Sequence, residues 1–224
     1  MSLENDFELP EDIIIPPTDL WSDEPIESDI HRQQINLLID SLNGFWCYRQ
    51  DLYISGNLTI YYKQEQLQAR EFCSPDFFVV LECERKPRKS WVVWGEDGKM
   101  PDVVIEILSE RTAAIDKGLK KQIYQNILRV GDYFWFDPYS LEFAGFHLVG
   151  GKYQPIAANS QGWLWSHQLE LYLGIDQQKL RFFTADGELV LTEAEFERQQ
   201  KELAQKRVEI LTAQLKTLGV EPEM

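Results

Sequence analysis

Two apolar runs, each opened by a Pro-Asp pair, constrain this chain most strongly. The first is Pro75-Asp76 followed by Phe-Phe-Val-Val-Leu, and the second is Pro101-Asp102 followed by Val-Val-Ile-Glu-Ile-Leu. Short runs rich in β-branched and aromatic residues are typical of buried strands. Glu106 interrupts the second run, and a carboxylate inside a buried strand is costly unless a positive charge meets it. The runs therefore predict two strands of a central sheet whose acidic side chains serve a functional site.

A helix with three polar residues at intervals of four follows the second run. Asp116, Lys120 and Tyr124 lie near one side of the α-helix that we expect over 116–128, drifting by about 40° per step of four. Two carboxylates from adjacent strands and a lysine from the next helix are the usual components of a divalent-metal hydrolytic site. The plainer alternative is a surface ion pair between Asp116 and Lys120, with Tyr124 packed beside it.

The pattern from residue 26 to residue 192 predicts one domain that mixes helices and strands. Its first helix is expected from Ile26 to Gly44, where apolar residues recur at helical spacing. A second short helix is expected near 168–173. Three glycine-containing pairs between strand-like segments predict β-hairpin turns: Gly56-Asn57, Gly150-Gly151 and Asp186-Gly187.

The charge of the chain is concentrated in its first residues. The formal net charge is −15, yet residues 1–30 hold ten acidic and no basic residues, so the remainder is nearly balanced. Residues 1–25, which also contain four prolines, are predicted to form an acidic irregular arm. This acidity weakens a nucleic-acid hypothesis without excluding it. The candidate cations for a nucleic-acid backbone are Arg85, Lys86, Arg88, Lys89 and Lys121, although basic loops are often simply solvated.

The tail, residues 193–224, is predicted to be an amphipathic helix with coiled-coil spacing. Ala204, Val208, Leu211, Leu215 and Leu218 alternate intervals of four and three, which is the seam of a heptad repeat. Such a seam favours a homodimer. A terminal helix packed on its own domain would show the same spacing, so both interpretations stand.

Cysteine usage and hydropathy restrict the remaining classes. The three cysteines show no Cys-x-x-Cys spacing, which argues against a zinc site or a disulfide framework and favours reduced thiols. No window is long and apolar enough for a membrane helix, and the acidic N-terminus lacks the order of a signal peptide. We therefore expect a cytoplasmic protein without a membrane partner.

The motifs in combination resemble the Uma family, widespread bacterial proteins described as putative restriction endonucleases of the PD-(D/E)XK nuclease superfamily. The resemblance extends from about Glu27 to the hairpin at 180–191 and includes the charged C-terminal helix. It is carried by Pro-Asp-Val-Val-Ile-Glu-Ile-Leu-Ser, then Thr112, Asp116, Lys120 and Tyr124, and by the Asp-Tyr-Phe-Trp-Phe-Asp-Pro run that ends at Pro138.

This resemblance implies the restriction-endonuclease-like fold, an α/β (α+β) domain with a mixed central sheet flanked by helices. It implies Asp76 and Glu106 as metal ligands and Glu27 as an additional acid on the first helix. The usual lysine two residues after the glutamate is replaced by Leu108. Members of the family supply that lysine from the next helix, which implies Lys120, with Lys121 as the competing candidate.

The implied activity is hydrolysis of DNA phosphodiester bonds with Mg²⁺, or alternatively Mn²⁺. Asp76, Glu106 and Lys120 are the expected catalytic residues. The alternative is a catalytically inactive binding or assembly module that keeps the nuclease fold, which the acidic arm, the coiled-coil tail and the missing strand lysine favour. The expected supporting residues are Glu27, His31, Asp102, Asp116 and Tyr124. For His31 the alternative is an ordinary surface or core-edge histidine with satisfied hydrogen bonds, which a lone helix histidine more often is.

Overall fold

A mixed six-stranded sheet forms the centre of the computed structural model, which describes residues 28–66, 73–109 and 112–217. The strand order is β1-β3-β5-β6-β7-β8, in which β5 and β6 are parallel and the other neighbours are antiparallel. The strands of this sheet are β1 (Leu52–Ser55), β3 (Phe77–Leu81), β5 (Val103–Ile107), β6 (Asp132–Phe136), β7 (Phe143–Val149) and β8 (Lys152–Pro155).

Helix α1 (Asp29–Phe45) covers one face of this sheet. Ser28 caps its first turn by accepting a hydrogen bond from the backbone N–H of His31, as N-cap serines do. The apolar side chains of Ile35, Leu38 and Leu42 are buried in the same core as β3 and β5. A three-stranded sheet, made of β9 (Leu164–Ser166), β10 (Leu171–Asp176) and β11 (Lys179–Phe183), completes that core.

The opposite face of the sheet is covered by an irregular helical segment, α2, residues 113–128. It consists of α-helical pieces, Ala113–Ile115 and Lys121–Ile123, that alternate with π-helical pieces, Asp116–Lys120 and Tyr124–Leu128. The short parallel pair β2 (Ile60–Tyr61) and β4 (Trp91–Val92), followed by a 3₁₀ turn at Val93–Gly95, lies in the same second core. The last helix, α3, spans Glu193–Thr217.

The register between β3 and β5 places the two Pro-Asp pairs at opposite ends of the sheet. Phe77 pairs with Ile105 in an antiparallel ladder, so one further step puts Asp76 opposite Glu106. Opposite residues on one face of such a ladder have neighbouring side chains. Asp102, at the start of β5, instead lies beside the far end of β3.

The first predicted helix and the Gly150-Gly151 hairpin are confirmed, whereas the Gly56-Asn57 hairpin is wrong. β1 pairs with β3 and β2 pairs with β4, so β1 and β2 do not pair with each other. Gly56 serves a close approach instead, because a Cβ there would lie 2.5 Å from the backbone oxygen of Asp76 and 2.7 Å from Ile35.

The helix predicted near 168–173 is also wrong, because Leu171 and Leu173 belong to β10 and pair with β9. Leu169, Leu171 and Leu173 are all buried at intervals of two, which is the strand period. The three cysteines are free thiols, as expected. Among the described residues, no helix is long and apolar enough to span a membrane. The N-terminal arm lies outside the described residues.

Candidate active site

Asp76 and Glu106 meet at one end of the central sheet and contact each other's strands. The carboxylate Oδ2 of Asp76 accepts a hydrogen bond from the backbone N–H of Ile107 at 2.7 Å. The carboxylate Oε2 of Glu106 lies 3.4 Å from the backbone nitrogen of Asp76. Glu106 is fully buried, and 15% of the Asp76 side chain remains exposed. Two carboxylates are thus held close together by the strand pairing alone.

Lys120 on α2 reaches this pair. Its Nζ lies 3.1 Å from Oε2 of Glu106 and 2.9 Å from Oδ1 of Asp116. A quarter of the Lys120 side chain remains exposed, so the ammonium lies where buried acids meet solvent. The structure therefore brings Asp76, Glu106, Asp116 and Lys120 together, and it selects Lys120 over Lys121 for this position.

Two buried tyrosine hydroxyl groups donate hydrogen bonds to the acidic residues Glu106 and Asp116. The buried Tyr124 hydroxyl donates a short hydrogen bond to Oε1 of Glu106, and the thiol of Cys73 lies 3.8 Å from the same hydroxyl oxygen. Tyr133 donates from its hydroxyl to the backbone carbonyl of Asp116 at 2.8 Å and packs against the Tyr124 ring. These contacts fix the Glu106 carboxylate and the position of α2 relative to the sheet.

The irregular winding of α2 explains why its polar residues stay in line. In a regular α-helix, residues four apart drift by about 40° per step. The π-helical pieces wind more loosely, since each hydrogen bond reaches one residue further, and this offsets the drift. Asp116, Tyr124 and Leu128 are buried and Lys120 is three-quarters buried as a result.

The two central carboxyl groups have opposite protonation tendencies. Burial, followed by the nearby charge of Asp76, raises the pKa of Glu106 well above its ordinary value, with Lys120 opposing the shift. Burial acts in the same direction on Asp76. The hydrogen bond and charge of His31, together with Lys120, outweigh it and lower the Asp76 pKa. Asp76 therefore ionises more readily than Glu106.

Lys120 is cationic in this setting. Burial would lower the pKa of its ammonium group, but the charges of Glu106 and Asp116 outweigh burial and raise it. A lysine whose pKa is raised does not give up its proton near neutral pH. Its contribution at neutral pH is therefore positive charge and hydrogen bonding.

His31 joins the site from α1. Its ring is buried, and Nε2 lies 3.3 Å from Oδ1 of Asp76. Because Ile107 binds the other oxygen of that carboxylate, His31 and the β5 backbone together fix the orientation of the Asp76 side chain. His31 therefore lies beside the acidic pair, and its supporting role stays a prediction.

The residues present fit a hard divalent cation that keeps several of its waters. Asp76 and Glu106 offer carboxylate oxygens, the donors that Mg²⁺ and Mn²⁺ favour. Apart from the Lys120 ammonium, neither oxygen of Asp116 has a hydrogen-bond partner among the described residues, and both oxygens are buried. Within the described ranges, no group of three or more His, Cys, Asp or Glu side chains forms a metal cage. Water and substrate oxygens would have to complete the coordination.

Metal stabilisation should grow with pH. The pKa of Glu106 is raised in the folded, metal-free protein. Above pH 4.5, the ordinary pKa of glutamate, the unfolded chain therefore releases a proton that the folded protein keeps. For this reason the stability of the metal-free protein falls as pH rises. A bound cation requires the ionised carboxylate and removes this cost. We expect 10 mM Mg²⁺ to raise the thermal unfolding midpoint more at pH 8 than at pH 5.5. If calorimetry showed the same Mg²⁺-induced shift of the unfolding midpoint at pH 5.5 and pH 8, Glu106 would not be a metal ligand with a raised pKa.

One of the expected supporting residues, Asp102, does not join the cluster in the structure. Asp102 lies at the other end of β5, about 13 Å along the strand from Glu106, and its Oδ2 accepts a hydrogen bond from the backbone N–H of Leu81 at 2.7 Å. Its expected role at the site is therefore corrected: antiparallel pairing separates it from Asp76, and it closes the β3–β5 ladder instead. Glu27 lies outside the described residues.

The two arginines of the basic loop have partners within the protein, and their expected contact with nucleic acid stays a prediction. Arg85 donates to the backbone carbonyls of Trp46 and Arg49 and to Asn43. Arg88 forms an ion pair with Glu96 at 2.6 Å, and its guanidinium group stacks on aromatic rings, leaving only 5% of its side chain exposed. These groups tie the loop to the body because buried guanidinium charges require such partners.

The lysines of that set remain at the surface. Lys89 is exposed, and Lys86 is half exposed beside Glu84. The Nζ of Lys121 lies 3.3 Å from the centre of the Phe146 ring, and partial burial lowers the pKa of this lysine. Lys121 thus faces away from the acids that Lys120 contacts.

Sequence reasoning missed Cys73 and Tyr133 at the site. In the sequence Tyr133 is part of an apolar strand, and its hydroxyl group gives no signal of its own. The parallel register of β6 beside β5, which pairs Val104 with Tyr133, places its ring under α2. Cys73 precedes the first Pro-Asp pair by two residues, and only the fold brings it to Tyr124.

Comparison with known proteins agrees with this fold. No curated protein matches the chain significantly. The structure resembles that of "a putative nuclease belonging to DUF820 from Anabaena variabilis ATCC 29413", with a TM-score of 0.51 and 14% sequence identity over 69% of this chain and 82% of that one. At this identity, the likeness concerns the fold alone.

The family comparison is more specific. The model of the Uma2 family, described as "Putative restriction endonuclease", matches residues 15–181, which is most of the chain and contains Asp76, Glu106 and Lys120. The resemblance found from the motifs is therefore confirmed. The chain belongs to the Uma2 family and is, by that membership, a hydrolase of the nuclease class.

Proposed function

We propose that this protein is a metal-dependent endonuclease that hydrolyses phosphodiester bonds of DNA, with Mg²⁺ as the working cation and Mn²⁺ as a substitute. The observation that carries the proposal is the contact between Lys120 and Glu106 at 3.1 Å, at the point where Glu106 faces Asp76. The lysine that the usual motif places on the strand is supplied here by the helix. A remnant site would have no reason to keep a lysine and three acids together in a largely buried position.

Each residue has a role that follows from its position. Asp76 and Glu106 would hold the cation, which when bound supplies positive charge for a phosphate oxygen and acidifies a water. The Lys120 ammonium would orient the attacking water and stabilise negative charge as it develops on the phosphate. Tyr124 and His31 hold the two carboxylates in position. Asp116 keeps Lys120 charged and directed toward Glu106.

The two Pro-Asp pairs offer a matched test of this proposal. Asp76→Asn should reduce Mg²⁺-dependent nicking of a supercoiled plasmid by at least about 100-fold, because it removes one of two charged ligands. Asp102→Asn keeps an oxygen for the Leu81 N–H and lies away from the cluster, so its activity should stay within about 3-fold of the parent. Equal activity of the parent and Asp76→Asn would refute the proposal. Absence of nicking by a folded, metal-loaded parent would also refute it.

DNA contacts are proposed for the surface lysines only. Lys86 and Lys89 on the basic loop and Lys121 on α2 would neutralise backbone phosphates. Contacts of this kind are independent of sequence and weaken as salt rises. The acidic total charge of the chain is consistent with a small number of such contacts.

A homodimer formed through α3 is the assembly that we propose. The contacts that tie α3 to the domain include those of its first turn, where Glu195 pairs with Arg181 at 2.7 Å. Beyond that turn the helix exposes large apolar side chains, each more than one-third accessible, and most helical stability in proteins comes from packing of such an apolar face. Val208, Leu211 and Leu215 continue the heptad seam, and Leu218 lies outside the described residues.

A charge placed on the seam should separate the subunits. Leu211→Lys is expected to convert a dimer of twice 26.2 kDa into a monomer in light scattering, because it buries an unpaired charge at a core position. Ile210→Lys is the matched control, since Ile210 is equally exposed but lies off the seam. A parent protein that is monomeric at 100 µM would exclude this dimer.

A further inference from the structure

A second cluster of polar residues lies away from the acidic site, where the two sheets meet. Asp132 on β6 is fully buried, and its Oδ1 lies 2.7 Å from Nδ1 of His147 on β7. Its other oxygen accepts hydrogen bonds from the Ser166 hydroxyl at 2.7 Å and from the backbone N–H of Gln168 at 2.9 Å. His167 lies between these two residues in sequence, directly after β9.

The two histidine rings face each other at the surface. The ring centres of His147 and His167 are 4.3 Å apart, the His147 side chain is 27% exposed, and His167 is exposed. With Asp132 accepting the N–H at Nδ1 of His147, the neutral form of that ring has its lone pair at Nε2, which points away from the carboxylate. A carboxylate that fixes the tautomer in this manner is the usual partner of a metal-binding histidine.

We propose that His147 and His167 bind a late first-row divalent cation such as Zn²⁺, with Asp132 orienting His147. Imidazole nitrogen suits Zn²⁺, Ni²⁺ and Cu²⁺, whereas Mg²⁺ favours the oxygen donors of the acidic site. Two imidazoles that share a Zn²⁺ ion at Zn–N bonds of about 2.0 to 2.1 Å have ring centres roughly 5 Å apart. The exposed His167 side chain can supply the small opening that this requires.

The site would be open and exchangeable. Among the described residues, no third His, Cys, Asp or Glu side chain completes it, so water would fill the remaining positions. Its ligands come from β7 of the six-stranded sheet and from the turn between β9 and β10 of the three-stranded sheet. A bound ion would therefore clamp the two sheets together and raise the unfolding temperature.

The chain contains three histidines, which makes a direct test practical. Zn²⁺ would be titrated into the full chain carrying Asp76→Asn and Cys47→Ser, which disable the acidic site and remove the exposed thiol. Ring nitrogen signals would be followed by long-range ¹H–¹⁵N NMR. We expect the signals of His147 and His167 to move together, saturating at one Zn²⁺ per chain, while the buried His31 ring stays unchanged.

A variant at the exposed ligand completes the test. His167→Gln in the same background should weaken Zn²⁺ binding at least about 10-fold in calorimetry and abolish the rise in unfolding temperature. His167 is exposed, so this variant should fold normally. Unchanged affinity in His167→Gln, or histidine signals that do not move at 1 mM Zn²⁺, would overturn the proposal. Neither result depends on nuclease activity.

Discussion

Replacing Lys120 by methionine should reduce metal-dependent DNA cleavage by about 10²- to 10⁴-fold, the range found for a positioned acid–base or charged catalytic group. Methionine keeps much of the side-chain length but removes the ammonium that lies 3.1 Å from Glu106. The charge on Asp116 then loses its partner, so the metal-free variant should also lose up to about 3 kcal/mol of stability. Single-turnover cleavage at saturating Mg²⁺ measures the first effect, and urea unfolding measures the second.

Lys121→Met is the control for this experiment. Lys121 is the next residue on α2, has the same chemistry, and contacts Phe146 instead of the acids. Its removal should change cleavage by less than about 10-fold, mainly through weaker DNA binding that higher DNA concentration restores. If the two variants lost activity equally at saturating DNA, Lys120 would be a DNA contact and its assigned role at the reacting phosphate would be wrong.

Glu106→Gln should abolish cleavage and metal binding while leaving the metal-free fold at least as stable as the parent at pH 8. The Glu106 pKa is raised by burial and by Asp76, so its ionised form is less stable in the folded protein than in the unfolded chain. A neutral side chain of the same shape avoids that cost and can keep the contact with Tyr124. Thermal unfolding with and without 10 mM Mg²⁺ checks both parts, because the variant should show no metal-induced shift.

Glu195→Gln, the same chemical change elsewhere, should act in the opposite direction. Partial burial would raise the pKa of Glu195, but the hydrogen bonds from Arg181 and Thr192 and the charge of Arg181 outweigh it and lower that pKa. The ionised form of Glu195 therefore stabilises the fold. Arg181 is buried and would lose a charged partner, at a cost of about 1 to 3 kcal/mol. Cleavage should be unaffected. A Glu106 variant that is destabilised as strongly as Glu195→Gln would contradict the raised Glu106 pKa.

The sequence alone predicts the strands and the helix on which the site residues lie. Continuous apolar runs with β-branched residues predicted β3 and β5, and the interval of four predicted that Asp116, Lys120 and Tyr124 share a face of α2. These signals are local, so they survive without knowledge of the fold. The convergence of Asp76 with Glu106 and Lys120 followed from the family resemblance, and the described geometry is consistent with it.

The wrong predictions concern long-range pairing. Gly56-Asn57 has the composition of a hairpin turn, but the glycine is needed where β1 passes close to α1, and the strand that follows pairs elsewhere. Leu169, Leu171 and Leu173 fit either a short helix or a strand, and pairing with β9 and β11 selects the strand. Tertiary partners decide such ambiguous segments.

The roles predicted for charged residues were limited in the same way, by partners that the local sequence does not show. Arg85 and Arg88 have the composition of a DNA-binding loop, yet backbone carbonyls and Glu96 occupy their donors. Asp102 has the same local motif as Asp76, and only the antiparallel register separates the two. The number of basic or acidic residues in a segment therefore did not determine their role, because their partners lie far away in sequence.

Crystals of the parent protein soaked in Mn²⁺ would test the central claim most directly, because anomalous scattering locates the ion without assumptions about activity. We predict one strong peak between the carboxylates of Asp76 and Glu106, with Lys120 Nζ within reach of a metal-bound water. The same soak of Asp76→Asn crystals should lose the peak. No peak between the two carboxylates at 10 mM Mn²⁺, or a peak that persists in Asp76→Asn, would contradict the assignment of this cluster as the metal site of a nuclease.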